Sequence, residues 1–165
     1  MPYKYFIFFF KKNYKFVVTF FLIILLDRIT KIVFIRHQQI TGNTELYSSS
    51  FLNLDLIWNK GIAFGLFSYS SPNAYNLITM IIFFVILGLF FLFIKSHKSE
   101  KFFLLIVFSG AVGNLIDRLL YKAVPDFIDL SINNIHWFIF NVADIFITLG
   151  ITGLILMEFS KKKND

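Results

Sequence analysis

The feature that most constrains this chain is a series of apolar segments, each long enough to cross a lipid bilayer. A helix needs about 20 mainly apolar residues to span the hydrocarbon core. Such segments are predicted at residues 16–35, 74–94, 102–121 and 137–159. The composition agrees, because 57% of the residues are hydrophobic and 16% are charged, against about a quarter charged in soluble domains. The sequence therefore predicts an all-α membrane protein with four transmembrane helices in a single domain, residues 1–165.

Lysine clusters indicate how these segments are oriented. The clusters lie at residues 4–15, 95–101 and 161–163, each next to an apolar segment. Positive charge in short loops marks the cytoplasmic side of a membrane protein. With four spans, both termini and the loop 95–101 are therefore expected in the cytoplasm. The net charge of +6 then reports membrane topology, and no nucleic-acid partner is expected.

Two segments remain for the outer side, residues 36–73 and 122–136. The longer one is rich in Ser, Asn, Gly and Thr, and its stretch FLNLDLIW at 51–58 alternates imperfectly, as a short strand does. We expect these segments to form a small strand-containing extracytoplasmic cap. The first apolar segment is not expected to be a cleaved signal peptide, because no small-x-small cleavage site follows it.

Polar side chains inside the predicted spans need a physical reason, since a charge at the bilayer centre costs roughly 2.5–3.5 kcal/mol on insertion scales. In the first span, Asp27 and Lys31 are four residues apart and can pair on one helix face. Taken alone, this pair fits equally well an anchor whose cation reaches the membrane interface. In the third span, Asn114 and Arg118 follow small residues at 109–113 that allow another helix to approach closely.

The fourth span carries Asn141 and Asp144 near its outward end. In a helix that starts at Trp137, Asp144 would lie ~10 Å below the outer surface. Asp126 precedes Asp144 by 18 positions, so the chain can fold back and bring the two carboxylates together. Two close carboxylates share a proton, and such a pair can activate water. The sequence therefore predicts a hydrolytic site near the outer membrane surface.

Other catalytic chemistries find less support in the sequence. The chain has no cysteine, which excludes a thiolate nucleophile and a Cys-based metal site. The histidines His37, His97 and His136 are scattered, so a catalytic zinc site is not expected. The sequence also contains no GxSxG motif and no Gly-rich phosphate loop.

Five motifs occur in order along the chain: DRITK (27–31), NKGIAFG (59–65), SGAVGNLIDR (109–118), VPDFID (124–129) and FNVAD (140–144). Through these motifs the chain resembles the lipoprotein signal peptidases, the membrane aspartyl peptidases also called signal peptidase II. Each motif alone is weak. Five of them in this order, on a chain of four predicted spans, are highly specific.

The resemblance implies roles for individual residues. Asp126 and Asp144 would form the catalytic dyad that activates water against the scissile amide bond. The residues that support this dyad or bind the substrate would be Asp27, Asn59, Asn114, Arg118 and Asn141. No metal and no organic cofactor are implied.

The resemblance also implies the partners and the location. The substrate would be a diacylglyceryl-modified prolipoprotein, held in membrane lipid and cleaved immediately before its lipidated cysteine. Globomycin, a cyclic peptide antibiotic, would be an inhibitor. The chain would act as a monomer in the bacterial inner membrane, with its active site toward the outer face.

Two alternatives from other functional classes stay open at this stage. Intramembrane Asp, Asn and Arg also line the pathways of small proton- or ion-coupled transporters, although this sequence shows no inverted repeat. Polar stripes can also hold helices together in a non-catalytic membrane scaffold. Replacing Asp126 or Asp144 by Asn separates these alternatives, because only a peptidase would then accumulate an unprocessed precursor.

Overall fold

The computed structural model describes residues 2–61, 72–132 and 135–162 of the chain. Its elements, in chain order, are α1 (Pro2–Thr41), β1 (Glu45–Ser48), β2 (Leu52–Asn59), α2 (Pro72–Lys95), α3 (Lys98–Tyr121), β3 (Val124–Ile132), β4 (Ile135–Phe140) and α4 (Val142–Lys162). The protein is mostly helical, with one small antiparallel sheet. The part of the predicted cap at residues 62–71 lies outside the described residues.

Among the described helices, three are long and apolar enough to cross a membrane, with candidate spans at Asn73–Lys95, Ser99–Tyr121 and Val142–Lys161. Helix α1 is longer, at 40 residues, but charged side chains interrupt its apolar sequence. Helix α2 presents Phe84 and Phe91 outward, 60% and 62% exposed. Apolar surface of this kind is typical of a helix that faces lipid. The chain is thus a membrane protein.

Helix α3 is the centre of the bundle, because it packs against α1, α2 and α4. Its glycines allow close approaches to α1 and α4. A Cβ atom at Gly110 would lie 2.5 Å from the Ala143 carbonyl oxygen of α4, and a Cβ at Gly113 would lie 2.9 Å from Asp27 Oδ2 of α1. The small residues predicted to form a packing face at 109–113 are therefore part of the surface on which α1 and α4 meet α3.

The four strands form a sheet in the order β1-β2-β3-β4, with antiparallel neighbours throughout. Strand β2 confirms the strand predicted at 51–58. The ring of Phe34, near the C-terminal end of α1, stacks on Phe127 of β3 with the ring centroids 4.2 Å apart. Leu56 of β2 belongs to the same buried cluster. Burial of these side chains fixes the sheet against α1.

The predicted start of the fourth helical span at Trp137 is wrong. Residues Ile135–Phe140 form β4, which pairs with β3, and α4 begins at Val142. Hydropathy does not distinguish a short apolar strand from the first turns of an apolar helix, and the edge of β3 supplies hydrogen-bond partners for the backbone of β4. Asp144 therefore lies in the first turn of α4 and not ~10 Å along a helix that starts at Trp137.

Candidate active site

Asp144 is held at the N-terminus of α4 by a reciprocal pair of hydrogen bonds with Asn141. Asn141 Oδ1 accepts from the Asp144 backbone N–H at 3.2 Å, and Asp144 Oδ2 accepts from the Asn141 backbone N–H at 3.2 Å. This is the capping-box pattern, in which the capping residue and the residue three positions later satisfy each other's N–H groups. A helix N-terminus also favours negative charge. The local sequence thus fixes the position of this carboxylate.

Asp126 reaches the same place from β3. In the ladder between β2 and β3, Asp126 is paired with Ile57, two positions before Asn59. Asn59 Nδ2 donates to Asp126 Oδ2 at 2.8 Å, and Asn141 Nδ2 donates to Asp126 Oδ1 at 2.6 Å. Asp126 is only 2% exposed. Both of its carboxyl oxygens are therefore hydrogen-bonded in a buried setting.

Asn141 connects the two acidic residues. Its side chain donates to Asp126, while its backbone N–H donates to Asp144. Burial raises the pKa of Asp126 to about 7, and the nearby negative charge of Asp144 contributes to the rise. Asp126 can therefore hold a proton near neutral pH beside a second acid, which is an arrangement suited to general acid–base hydrolysis.

Asn114 of α3 holds Asp144 from the other side. Its Nδ2 donates to Asp144 Oδ1 at 2.8 Å. Its Oδ1 accepts from Asn141 Nδ2 at 3.2 Å and from Lys31 Nζ at 2.9 Å. One amide therefore links α1, α3 and the start of α4.

A buried ion cluster lies behind these residues, between α1 and α3. Lys31 Nζ lies 2.8 Å from Asp27 Oδ2 and 2.6 Å from Asp117 Oδ2, and Arg28 Nη2 lies 2.6 Å from Asp117 Oδ1. Asp27 Oδ1 also accepts from the Ala143 backbone N–H at 3.0 Å, so α1 supplies a second cap to α4. The two cations and two carboxylates balance in charge, and this balance makes their burial tolerable.

Arg118 lies at the border of the site. Its Nη2 donates to the Gly61 carbonyl oxygen, and its guanidinium carbon lies 6.0 Å from the centroid of the Tyr75 ring. The Tyr75 hydroxyl donates to the Arg118 carbonyl oxygen at 3.0 Å. Within the described residues, Arg118 thus joins α2 and α3 to the chain just after β2. Its predicted role beside the two carboxylates stays a prediction.

Lys31 is the site residue that sequence reasoning missed. The spacing of Asp27 and Lys31 predicted their ion pair, which the structure contains. The alternative, a lysine whose ammonium reaches the membrane interface, is wrong, because Lys31 is 0% exposed. Its further partners, Asn114 and Asp117, belong to α3. A single sequence does not reveal the register between two helices, so only the pair within α1 could be predicted.

An apolar groove adjoins Asp144 on the other side of the site. Its volume is about 410 Å³, and its lining residues are Phe138, Phe140, Asp144, Ile145, Thr148 and Leu149. Strand β4 forms one wall of the groove and α4 the other. A carboxylate at the edge of an apolar groove can meet a substrate that combines a polar reacting bond with an apolar group.

Outside this site, the sheet carries a polar cluster around Asp129. Asp129 Oδ2 lies 2.6 Å from His136 Nδ1 and accepts from Asn53 Nδ2 at 3.2 Å. Within the described ranges, no group of three or more His, Cys, Asp or Glu side chains could hold a metal ion. The expectation that the chain uses no metal and no cofactor stays a prediction.

Comparison with known proteins identifies the family. The family model described as Signal peptidase (SPase) II matches residues 19–160, which is most of the chain. This chain belongs to the signal peptidase II family. The resemblance in five motifs is thereby confirmed, and so is the expectation of a signal peptidase II type aspartic protease. Membership of the signal peptidase II family favours the enzyme over the transporter and the scaffold.

Individual relatives support the signal peptidase II assignment. The lipoprotein signal peptidase of Pelagibacter ubique is 44% identical over 157 residues, covering 94% of this chain and 95% of the relative. That of Thermodesulfovibrio yellowstonii is 38% identical over 151 residues, covering 91% and 98%. A bacterial membrane enzyme solved by the in meso method at 2.3 Å resolution is similar in fold, with a TM-score of 0.72 and 28% identity, covering 92% of this chain and 91% of that one.

Proposed function

We propose that the chain removes signal peptides from diacylglyceryl-modified prolipoproteins by cleaving immediately before the lipidated cysteine, with Asp126 and Asp144 as the catalytic dyad. Family membership supports the general function, cleavage of lipoprotein signal peptides. The observation that carries the assignment of the dyad is the link through Asn141, which hydrogen-bonds to both carboxyl groups. Asp144 also lines an apolar groove.

The two acids have different roles in the first step. Asp126 carries the shared proton, in agreement with its pKa of about 7. Asp144 is the base, because its position at the N-terminus of α4 and the N–H group of Asn114 favour a negative charge there. Asp144 takes a proton from water as the water oxygen adds to the scissile carbonyl carbon. Asp126 gives its proton to the carbonyl oxygen, and a tetrahedral diol forms.

The second step restores the starting protonation state of the two acids. Asp144 gives its proton to the amide nitrogen, the carbon–nitrogen bond breaks, and one hydroxyl of the diol gives its proton to Asp126. The products are a new carboxyl terminus on the signal peptide and a free amine on the lipidated cysteine. Asn141 and Asn114 keep the two carboxyl groups in place during this exchange.

The groove beside Asp144 is suited to the lipid part of the substrate. Its walls, Phe138 and Phe140 on one side and Ile145 and Leu149 on the other, are apolar. Burial of an acyl chain is favourable by about 0.8 kcal/mol per CH₂ group. Such a groove therefore holds a diacylglyceryl group and excludes water from the scissile bond. A substrate anchored in membrane lipid then reaches the dyad by lateral movement. Globomycin would compete for the same groove.

Helix α1 is proposed as the fourth membrane span. Its charged residues Asp27 and Lys31 are 1% and 0% exposed, whereas Leu25, Ile29 and Val33 are at least half exposed. The helix therefore turns its charges into the bundle and an apolar face outward, as a lipid-facing helix does. With the lysine clusters at residues 4–15, 95–101 and 161–163 on the cytoplasmic side, this gives cytoplasmic termini and a site toward the outer face of the bacterial inner membrane. A monomer suffices, because one chain supplies both acids.

The test is an acid-to-amide comparison in bacterial membranes that lack other signal peptidase II activity. Asp126→Asn and Asp144→Asn should each abolish conversion of a lipidated precursor to mature lipoprotein, with the variant still inserted at the wild-type level. Glu45→Gln, on the exposed strand β1, is the matched control and should process normally. Normal processing by either Asp variant would reject the dyad.

A further inference from the structure

The ammonium group of Lys31 is buried and fully hydrogen-bonded. Its three donors are directed at Asp27 Oδ2 at 2.8 Å, Asn114 Oδ1 at 2.9 Å and Asp117 Oδ2 at 2.6 Å. An ammonium group has three N–H bonds, so each one has an acceptor. A buried lysine is costly unless it is paired in this way. One of the three acceptors, Asn114, belongs to the site and not to the ion cluster.

The contact with Lys31 determines how the Asn114 amide is oriented. The oxygen of this amide accepts from Lys31 and from Asn141, so its NH₂ group is left to donate to Asp144 Oδ1 at 2.8 Å. If the amide were flipped, its NH₂ group would face the ammonium and its oxygen would face the carboxylate of Asp144. Both contacts would then be repulsive. The cation therefore excludes the flipped state.

We propose that Lys31 is a positioning residue for the dyad: its buried ammonium locks the Asn114 amide so that Asp144 always faces a hydrogen-bond donor. This inference rests on the proposed function, because it assumes that Asp144 is the base. Lys31 acts through Asn114 and is not among the residues that line the groove. Its loss should therefore lower kcat and leave KM for the lipidated substrate unchanged.

The competing explanation is that Lys31 only neutralises buried acids. The charged groups that face it are Asp27 on its own helix and Asp117 on α3, and Asp117 is also paired with Arg28. On that explanation, removing one cation and one acid together would restore a working enzyme. Asp27→Asn is the suitable partner change, because an Asn side chain keeps the oxygen that accepts from the Ala143 N–H group.

The experiment is a double-mutant cycle in purified, reconstituted enzyme, with cleavage of a lipidated peptide as the assay. We expect Lys31→Met to lower kcat on the order of 100-fold, the scale of a small misplacement of a catalytic group. The same loss should occur when Lys31→Met is introduced into the Asp27→Asn variant, although the charges then balance. Lys101→Met, in the first turn of α3, is the control and should keep wild-type kcat.

Each other outcome overturns the proposal. If the double variant regains the kcat of Asp27→Asn, the ammonium serves charge balance alone. If Lys31→Met lowers kcat/KM through a rise in KM, Lys31 serves substrate binding. If neither the Lys31→Met variant nor the double variant shows a thermal unfolding transition in detergent, the residue is needed for folding. A wild-type enzyme that does not cleave the lipidated peptide would instead reject the proposed function, so the two failures are distinguishable.

Discussion

Asp27 Oδ1, in the middle of α1, accepts a hydrogen bond from the backbone N–H of Ala143 in the first turn of α4. The two residues are 116 positions apart in the chain. The N–H groups of a first helical turn have no partner within the helix, so this carboxylate satisfies one of them in addition to the local cap from Asn141. The first helix thereby fixes the orientation of the helix that carries Asp144.

Asp27→Ala should therefore damage both stability and activity. Loss of the acceptor leaves the Ala143 N–H group buried and unpaired, which costs about 1–3 kcal/mol, and leaves Lys31 with one acid fewer. Asp27→Asn keeps an acceptor for the Ala143 N–H group and should lose clearly less stability and activity. Thermal unfolding in detergent and cleavage of a lipidated peptide test both variants. Equal losses for Ala and Asn would show that charge, and not the hydrogen bond to Ala143, is what Asp27 provides.

Asn141 has two separable functions, the cap of α4 and the link to Asp126. Asn141→Ser keeps a good helix cap but is too short to donate to Asp126, so we expect near-wild-type unfolding and a kcat reduced about 100-fold. Asn141→Ala removes both functions and should also lower the unfolding temperature. A serine variant with wild-type kcat would mean that the hydrogen bond between Asn141 and Asp126 is dispensable.

The dyad predicts how activity depends on pH. Asp126 must be protonated to act as the acid, and its pKa is about 7, so kcat should fall as the pH rises through this value. Burial is the main cause of the raised pKa of Asp126, the negative charge of Asp144 adds to the rise, and the positive charge of Lys31 opposes it. A pH–rate profile of the reconstituted enzyme tests it. A kcat that stays constant from neutral to alkaline pH would contradict the assignment of Asp126 as the acid.

The same titration affects stability with a defined sign. The pKa of Asp126 is higher in the folded protein than its ordinary value of 3.8, so its contribution to stability is complete at low pH. That contribution is lost as the pH rises through about 7. Asp126→Asn should remove this dependence, and its unfolding temperature should approach or exceed that of the wild type above neutral pH. Parallel unfolding curves of the two proteins across this range would contradict the prediction.

The groove predicts a change in substrate binding. Leu149→Trp places a larger side chain in the groove beside Asp144, so KM for the lipidated substrate should rise about tenfold, equivalent to a loss of about 1.4 kcal/mol of binding. Leu156→Trp, on the exposed surface of the same helix, is the matched control. A rise in KM for Leu156→Trp as large as that for Leu149→Trp would place the lipid-binding surface elsewhere.

The sequence predicted the features that depend on neighbouring residues and missed those that depend on contacts between segments far apart in the chain. The helices and the strand at 51–58 come from local hydropathy, and the predicted meeting of Asp126 with Asp144 required only a short return of the chain. The start of α4 was missed, because β4 exists through its pairing with β3. The contact between Lys31 and Asn114 was missed for the same reason, since it depends on how two distant helices align.

The capping of α4 by Asp27 has a consequence for biosynthesis. The helix that carries the base of the proposed dyad is synthesised after α1, which supplies the carboxylate that orients this helix. A nascent chain with only its early helices in the bilayer therefore has no assembled catalytic centre. The proposed dyad therefore assembles only after α4 has been synthesised, because Asp144 belongs to that helix.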